Sequence, residues 1–445
     1  MNIAILGGGI AGLSAAWRLT KRGNRVTLFE ASGYLGGLGA AFEHEGRRLD
    51  KFYHVILDSD EHLLALIDEM GLSDDLAWST TTMGFIVRGE HYPFNTPLDL
   101  MRFGALSIPD RIRTGLAALY ITRLKKHGRP LDDLPAHEWL KRLFGQRVYR
   151  AIWEPLLNAK FGDLRHRVPA YWIWNTLNRE KNGGEEVKAA LRGGLCTLVD
   201  SLADAIIAAG GEIRLDTPIE CLWETRDGVR VAGRGAEGEF DALLSTLPMP
   251  LLRNISDRRL APKIPLPELE YQGVVNVLLV AKRRLDRHYW TAVVESGFPF
   301  QGVVETTHVI RPEWIGDRHL IYLMNYCSKD STPYNADDES QIRLARDGLS
   351  RLYPNFDPGD IEAAYVFRAP HVEPVWPRGY LRNRPEPRIA DTRVFLATTA
   401  QAYPMVTSWN TSVKLAQDAV SAMLSAGLAS PRRIEHPVLS HTDAA

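Results

Sequence analysis

Cysteine is scarce in this chain, and long apolar runs are absent. The three cysteines, Cys196, Cys221 and Cys327, have no metal-ligand spacing and cannot all pair with one another. A protein of a reducing compartment, without a metal centre, is the simplest interpretation. Because no uninterrupted run of about 18 apolar residues occurs, the sequence predicts no membrane-spanning helix.

An excess of charge is also lacking. The 53 basic and 54 acidic residues give a net charge of −1, so the composition does not indicate a nucleic-acid-binding protein. The first residues, MNIAILGGG, lack the basic and the long apolar segment of a secretory signal. We therefore expect a cytoplasmic protein, with peripheral contact to the inner face of a membrane left open. At 445 residues, more than one domain is expected.

The first motif is a glycine-rich turn between a strand and a helix. Residues 3–6 form a short apolar run that is typical of a strand in a parallel sheet. Gly7 permits a tight turn, Gly9 lets the backbone approach a pyrophosphate, and Gly12 allows the helix to pack closely on the strand. The helix N-terminus would face the phosphates. The candidate phosphate-binding residues are Gly7, Gly9, Ile10, Ala11 and Gly12.

An acidic residue stands where dinucleotide-binding sites place a ribose-binding carboxylate. Glu30 follows the second predicted strand, residues 26–29, at the expected distance from the glycines. Its carboxylate can accept hydrogen bonds from both ribose hydroxyls and would repel a 2′-phosphate. Glu30 and the adjacent Ala31 are therefore predicted to bind the nucleotide. These features alone do not separate NAD from FAD.

A second glycine pair follows the acidic residue in the segment EASGYLGGLGAAF. With the first motif, this pair, Gly36 and Gly37, resembles the flavin amine oxidase, protoporphyrinogen oxidase and phytoene desaturase superfamily. The resemblance implies FAD as the cofactor, with the Gly-Gly loop running under its pyrophosphate. In many of those proteins an arginine follows the pair. Leu38 stands here instead, so backbone amides must contact the phosphates.

The middle of the chain extends the resemblance. The segment RGGLCTLVDSLADAIIAAGGEIRL contains a Gly-Gly turn, an apolar helix and a strand. Shortly after it, Ile219 falls where the superfamily has a residue that packs near the adenine of FAD.

The end of the chain resembles the same superfamily. Residues 395–419 read as a buried strand, a polar turn and an amphipathic helix. The resemblance implies that this helix begins near residues 405–407 and points its N-terminus at the flavin pyrimidine ring. Thr398 and Thr399 replace the usual Gly-Asp at the end of the strand. A plain C-terminal amphipathic helix is the alternative. The candidate flavin-binding residues here are Thr399, Met405, Val406 and Thr407.

The resemblance implies an α/β fold. Its parts would be a Rossmann-like, glutathione-reductase-type FAD-binding domain and an inserted α+β substrate domain that contains a mixed sheet. Helical patterns dominate the first insert and strand patterns the second. The expected divisions are a discontinuous FAD-binding domain of residues 1–51, 191–250 and 375–428, a helical substrate or cap insert of residues 52–190, a strand-rich substrate domain of residues 251–374, and a disordered tail of residues 429–445.

Three side chains in the inserts are candidates for catalysis. His54 lies in LDKFYHVI, which resembles the loop that meets the flavin in UDP-galactopyranose mutases; a packed histidine satisfied by the backbone is the alternative. Glu305 lies in VVETTHVI, predicted as a strand over residues 303–310. Tyr322 lies in the strand LIYLMNYC and shares a face with Tyr326. Such side chains either line a ligand cavity or belong to the core.

The leading hypothesis is an FAD-dependent oxidoreductase that takes a hydride from a largely apolar or amphipathic small molecule onto flavin N5. No second nucleotide motif is visible, so a separate NAD(P)H domain is not expected, and the electron acceptor stays open. The alternative is a non-redox flavoenzyme of the UDP-galactopyranose mutase type, acting on a sugar nucleotide. A flavin-binding protein without turnover is a third hypothesis. The mutase alternative would draw a diphosphate clamp from Arg165, Arg167, Arg368 and Arg378.

One amphipathic segment has two interpretations. The stretch GALSIPDRIRTGLAALYITRLKK, residues 104–126, mixes apolar residues with arginine and lysine. A helix lying on an acidic membrane surface has this composition. A solvated helix that covers the substrate cavity has it as well, and that is the more usual case.

Overall fold

The computed structural model of the protein describes residues 1–124, 127–179, 186–265 and 269–428. The tail predicted to be disordered, residues 429–445, lies outside the described residues, as do Lys125 and Lys126. The architecture is mixed α/β, as predicted.

The strands and helices are numbered in chain order. The strands are β1 (Asn2–Leu6), β2 (Arg25–Phe29), β3 (Ala41–His44), β4 (Arg47–Asp50), β5 (Ile56–Leu57), β6 (Leu76–Thr81), β7 (Met83–Val87), β8 (Glu90–Pro93), β9 (Glu186–Leu191), β10 (Glu212–Arg214), β11 (Ile219–Glu224), β12 (Val229–Gly233), β13 (Ala236–Phe240), β14 (Ala242–Ser245), β15 (Glu270–Ala281), β16 (Trp290–Val293), β17 (Gly302–Glu305), β18 (His319–Cys327), β19 (Ile361–Val375) and β20 (Val394–Leu396). The α-helices are α1 (Ile10–Thr20), α2 (Glu61–Glu69), α3 (Pro97–Arg102), α4 (Ile108–Leu119), α5 (Ala136–Phe144), α6 (Gln146–Val148), α7 (Glu154–Phe161), α8 (Ala170–Arg179), α9 (Cys196–Ala208), α10 (Met249–Ile255), α11 (Thr332–Asn335), α12 (Asp338–Leu352) and α13 (Trp409–Ser425).

A five-stranded parallel sheet forms the base of the nucleotide-binding part. Its order is β10-β2-β1-β14-β20, so the first strand of the chain lies at its centre. Ile3 and Ile5 of β1 pack on the helical side, where α1 contacts both α9 and α13. Ala4 and Leu6 pack on the other side, against the antiparallel layer β11-β12-β13. Burial on both faces explains why β1 reads as a continuous apolar run.

A seven-stranded mixed sheet forms the second part. Its order is β19-β15-β18-β17-β16-β7-β8, and β16 pairs in parallel with β7 while the other neighbours are antiparallel. Two of its strands, β7 and β8, come from the insert that the sequence reads as helical. The sheet is therefore built from both inserts. The alternating segments at residues 83–93 are short, and the longer helical patterns around them dominate the sequence of this insert.

The two faces of this mixed sheet have different neighbours. Leu279 and Leu323 pack against α12 on one face. Tyr322 and Met324 lie on the other face, with Tyr53 of the loop that follows β4. This second face is therefore turned towards the loop that carries the candidate His54.

The strand predicted over residues 303–310 is wrong in its second half. Strand β17 ends at Glu305, and a 3-10 turn follows over Thr306–His308. The Thr306 carbonyl accepts hydrogen bonds from the amides of Val309 and Ile310, which turns the chain back on itself. The β-branched composition favoured a strand, but these local turn contacts decide the structure.

The C-terminal helix begins later than predicted. Helix α13 starts at Trp409, not near residues 405–407, and Ser408 is its N-cap. The Ser408 hydroxyl accepts a hydrogen bond from the Thr411 amide at 3.1 Å, which stabilises a helix start at this position. Met405, Val406 and Thr407 lie in the turn before the helix.

The turn before α13 is anchored by a buried tyrosine, which gives a test of the fold. The Tyr403 hydroxyl donates to a carboxylate oxygen of buried Asp132. Tyr403→Phe leaves that oxygen without this donor and should lower the free energy of unfolding by about 1–3 kcal/mol. Tyr380→Phe is the control, because Tyr380 donates to a neutral backbone carbonyl, that of Ala400, and should cost about 0.5–1.5 kcal/mol. Urea unfolding measures both, and equal losses would contradict the assignment.

Candidate functional site

The glycine turn between β1 and α1 has the geometry that a bound pyrophosphate needs. A Cβ added to Gly12 would lie 1.9 Å from the carbonyl oxygen of Gly7, so only glycine allows the helix this close to the strand. A Cβ added to Gly9 would meet no protein atom within 4 Å. The open side of Gly9 therefore gives a ligand access to the backbone at the start of α1, where helix amides favour negative charge. Ile10 and Ala11 form the first turn of that helix.

The second glycine turn packs directly on the first. The Gly36 amide donates to the carbonyl of Gly8 at 2.9 Å, and a Cβ added to Gly37 would lie 3.4 Å from the Cα atom of Gly9. Gly36 and Gly37 both have positive φ, 105° and 57°, a backbone conformation that favours glycine. The structure thus brings the two sequence motifs together, and Leu38 follows in the same turn.

Glu30 is held rigidly at the end of β2, beside both turns. One carboxylate oxygen accepts from the Gly8 amide at 2.7 Å. The other accepts from the amide and the hydroxyl of Ser32, at 2.9 and 2.8 Å. Ala31 lies between Glu30 and Ser32 in the chain. The Thr217 amide donates to the Glu30 carbonyl, which places the start of β11, with Ile219, near this edge of the parallel sheet.

The beginning of α13 meets the second glycine turn. A Cβ added to Gly39 would lie 1.9 Å from the ring of Trp409, so the ring packs flush against that backbone. The predicted contact residues Met405, Val406 and Thr407 are partly exposed next to it, as is Thr399 near the end of β20. The Ser408 hydroxyl already accepts a hydrogen bond from the Thr411 amide. The helix N-terminus therefore offers a ligand fewer free amides than predicted.

His54 lies beside the same helix start. Its ring is 5.8 Å from the Trp409 ring, centre to centre. Its Nδ1 atom is 3.0 Å from the carbonyl oxygen of Phe52; because a carbonyl can only accept, Nδ1 carries the proton and Nε2 is a free acceptor in the neutral ring. Burial lowers the pKa of His54 to about 4, so the ring is neutral near pH 7.

The other two catalytic candidates have structural partners. The Tyr322 hydroxyl donates to the Asp50 carbonyl at 2.7 Å. The carboxylate of buried Glu305 accepts from the amides of Leu285 and Asp286, both at 3.1 Å. Neither contact involves the glycine turns or α13. These partners favour a role in packing for both side chains.

An aromatic wall near the site was not predicted from the sequence. It consists of Phe42, Phe52, Tyr365 and Phe367, all partly exposed. The Phe42 ring lies 4.6 Å from that of Tyr365 and 4.9 Å from that of Phe367, and Phe52 lies 6.3 Å from Phe367. Phe52 belongs to the loop of His54, so the wall adjoins the predicted site. No sequence signal links β3 with β19, because the contact depends on the tertiary fold.

Asp50 is a second residue that the sequence did not single out. Its Oδ1 atom is buried and has no hydrogen-bond partner among the described residues. Burial raises the pKa of this carboxyl to about 7. It lies beside Gly194, whose added Cβ would be 3.0 Å from Oδ1, so the Gly-Gly turn that begins the middle segment also approaches the site.

The sequence matches the profile of the flavin containing amine oxidoreductase family over residues 10–408. The chain belongs to this family. The match confirms the predicted superfamily and FAD as the cofactor. The residues present fit FAD, since Gly9 leaves open the side that a pyrophosphate would occupy and Glu30, the predicted ribose-binding residue, lies beside both glycine turns.

Individual proteins are similar to this chain in sequence or in structure. The chain is 25% identical over 297 residues to coproporphyrinogen III oxidase of Propionibacterium freudenreichii, which covers 52% of this chain and 54% of that protein. The match thus spans about half the length of this curated relative. An oxidoreductase from Methanosarcina mazei has a TM-score of 0.70 at 17% identity, covering 96% of this chain and 100% of that one. Reduced UDP-galactopyranose mutase has a TM-score of 0.74 at 17% identity, covering 96% and 95%. At this identity both structures show the shared fold.

A pair of glycine substitutions separates folding from FAD binding in this flavoprotein. Gly9→Ala should fold normally and retain at least tenfold less FAD, because its methyl group fills only the space open to the pyrophosphate. Gly12→Ala is the control and should lower the free energy of unfolding by about 1–3 kcal/mol, since its methyl group overlaps the Gly7 carbonyl. FAD content after gel filtration and urea unfolding measure the two effects. Full FAD retention in Gly9→Ala would contradict the assignment.

Proposed function

We propose that this protein is an FAD-dependent oxidoreductase whose substrate is a largely apolar small molecule. The observation that supports it most is the meeting of the two glycine turns, Glu30 and the start of α13 beside a partly exposed aromatic wall. A mostly apolar wall with few polar groups is typical of a small-molecule site. When bound, FAD supplies the hydride-accepting ring.

In this proposal, the chain's own residues position the reactants and exclude water. The two glycine turns hold the pyrophosphate, and Glu30 orients the ribose. The aromatic wall of Phe42, Phe52, Tyr365 and Phe367 binds the apolar body of the substrate. His54 stays neutral and presents Nε2 as an acceptor for a hydrogen-bond donor of the cofactor or the substrate. The roles assigned to Thr399, Met405, Val406 and Thr407 towards the flavin remain part of the proposal.

The mutase alternative has less support because three of its four candidate arginines already have partners within the chain, among them Arg167, which pairs with Glu270. Arg368 donates to the carbonyls of Tyr334 and Ala336 and to Asp338, so its guanidinium is committed to the α11–α12 region. Arg165 donates to the Gly162 carbonyl, within its own turn. Arg378 is exposed. A diphosphate clamp needs converging guanidinium groups.

Anaerobic spectroscopy tests the proposed reaction. The purified protein should be yellow and release FAD on denaturation. Polyprenyl compounds should then bleach its absorption near ~450 nm without any added reductant, because the substrate itself reduces the flavin. Sugar nucleotides that are turned over only after pre-reduction of the flavin would establish the mutase alternative instead. A colourless protein that also fails to bind added FAD would contradict both.

We further propose that this cytoplasmic enzyme works in peripheral contact with a membrane. Among the described residues, no helix is long and apolar enough to cross a bilayer. Helix α4 nevertheless exposes large apolar side chains to solvent: Ile108, Ile112 and Leu116 are 60%, 52% and 62% exposed. They recur at every fourth residue and thus share one face. The buried side of α4 carries the smaller or polar residues Asp110, Thr114 and Ala117.

The surroundings of this face fit an acidic lipid surface. Leu98 and Met101 of α3 are 53% and 45% exposed and extend the apolar area. In residues 97–124, four arginines outnumber two aspartates, and both aspartates are engaged: Asp99 caps α3 and Asp110 pairs with Arg147. An apolar helix face rimmed by arginine is typical of an interfacial helix. The alternative of a cavity cover has less support, because a cover would bury its apolar side.

Vesicle co-sedimentation tests the membrane contact. The wild-type protein should pellet with vesicles that contain phosphatidylglycerol and stay in solution without them. Replacing both Ile112 and Leu116 by Glu should reduce the bound fraction at least tenfold, because two charges would enter the apolar layer. Ile207→Glu is the control, since Ile207 is 58% exposed on α9, outside this face, and it should bind like wild type. Equal binding of the double variant would contradict the proposal.

A further inference from the structure

A partly buried ion pair lies next to the proposed flavin site. The Lys160 ammonium of α7 is 3.5 Å from Oε2 of Glu373 on β19, and their side chains are 27% and 5% exposed. The Thr407 hydroxyl also donates to Oε2, at 2.7 Å. The other oxygen, Oε1, is buried and has no hydrogen-bond partner among the described residues. An unsatisfied buried carboxylate oxygen is costly, and a donor group of a ligand would satisfy it.

Two aromatic rings lie beside the Lys160 ammonium. The Lys160 ammonium lies 5.1 Å from the ring centre of Trp172 and 5.5 Å from that of Tyr326. Tyr326 forms a hydrogen bond with Tyr53, and burial together with the charge of Glu373 raises the pKa of Tyr326 to about 12. Both tyrosines therefore stay neutral, and the charges of the cluster are those of Lys160 and Glu373.

Two contacts connect this cluster to the proposed site. Tyr53 immediately precedes His54, and Thr407 lies in the turn before α13, where the flavin ring is proposed to bind. The unsatisfied oxygen of Glu373 is therefore close to both segments that would face the reacting part of a substrate. The aromatic wall reaches the same loop through Phe52.

We propose that Glu373 determines substrate specificity, its Oε1 atom accepting a hydrogen bond from an uncharged O–H or N–H group on an otherwise apolar substrate. This inference rests on the function proposed above. Lys160 already balances the charge of Glu373, so a cationic substrate group would meet an ammonium nearby. An anionic group would face the carboxylate directly and offers no donor. An uncharged donor satisfies Oε1 without adding a charge.

Four probes of similar size test the preference in the FAD-bound protein. They are 2-phenylethanol, its methyl ether, 3-phenylpropionate and 2-phenylethylammonium, and dissociation constants come from changes in the flavin spectrum and from thermal shifts. The alcohol should bind at least tenfold more tightly than each of the other three. Tightest binding of the carboxylate or of the ammonium compound would overturn the inference.

Glu373→Gln tests the residue itself with little change of volume. Its amide oxygen should face the donors Lys160 and Thr407, which leaves its NH2 group at the position of Oε1. The preference for the alcohol over the ether should then fall below threefold, because both probes can accept from that NH2 group. Glu362→Gln is the control, since Glu362 is an exposed residue of the same strand, and it should keep the wild-type preference. A Glu373→Gln protein with the full preference would overturn the assignment.

Lys160→Met provides an independent second variant. Without the ammonium, the buried carboxylate lacks its balancing charge, and 2-phenylethylammonium should bind at least tenfold more tightly than to the wild type. Unchanged binding of this cation would contradict the role of Lys160. The same samples distinguish a failure of the proposed function from a failure of the role of Glu373. A protein without FAD would disprove the proposed function, whereas a yellow protein without the alcohol preference would disprove the role of Glu373 alone.

Discussion

The close packing of α1 on β1 at Gly12 is the contact on which the cofactor site depends. A side chain there would collide with the Gly7 carbonyl, and moving the helix away would separate its N-terminus from the turn that is predicted to face the phosphates. The second turn is fixed to the first by the hydrogen bond from Gly36 to Gly8. Gly39 in turn receives the ring of Trp409. Glycines thus join the first turn, the second turn and the last helix into one unit by allowing backbones to touch.

The parallel sheet supports this unit because both of its faces are covered. Helices α1, α9 and α13 bury one face, and the small antiparallel layer buries the other. A strand buried on both faces cannot shift its register without exposing apolar residues to water. The position of Glu30 at the end of β2 is therefore determined by the core beneath it as well as by its own hydrogen bonds.

What could be predicted from the sequence was local in origin. The glycine turn, Glu30 and the second glycine pair depend on neighbours within about thirty residues, and the structure brings them together. The prediction failed at two places where cap and turn hydrogen bonds override the composition, and it missed contacts between residues that are distant in the sequence. The start of α13 depends on its cap at Ser408, and the chain after Glu305 turns because of hydrogen bonds that β-propensity does not reveal. The pair of Lys160 and Glu373 unites residues more than two hundred positions apart, and no periodicity in the sequence signals it.

The parallel pairing of β16 with β7 has a consequence for how the chain folds. It joins Trp290 to Met83, and in the other sheet β20, residues 394–396, pairs with β14, residues 242–245. During synthesis, neither sheet can be completed before its last strand has emerged from the ribosome. Such non-local pairing slows folding, because the entropy of closing long loops is lost before the contacts form. The apolar strand β15 precedes its partners β18 and β19 in the chain, so its apolar residues stay exposed during synthesis until those strands have been made.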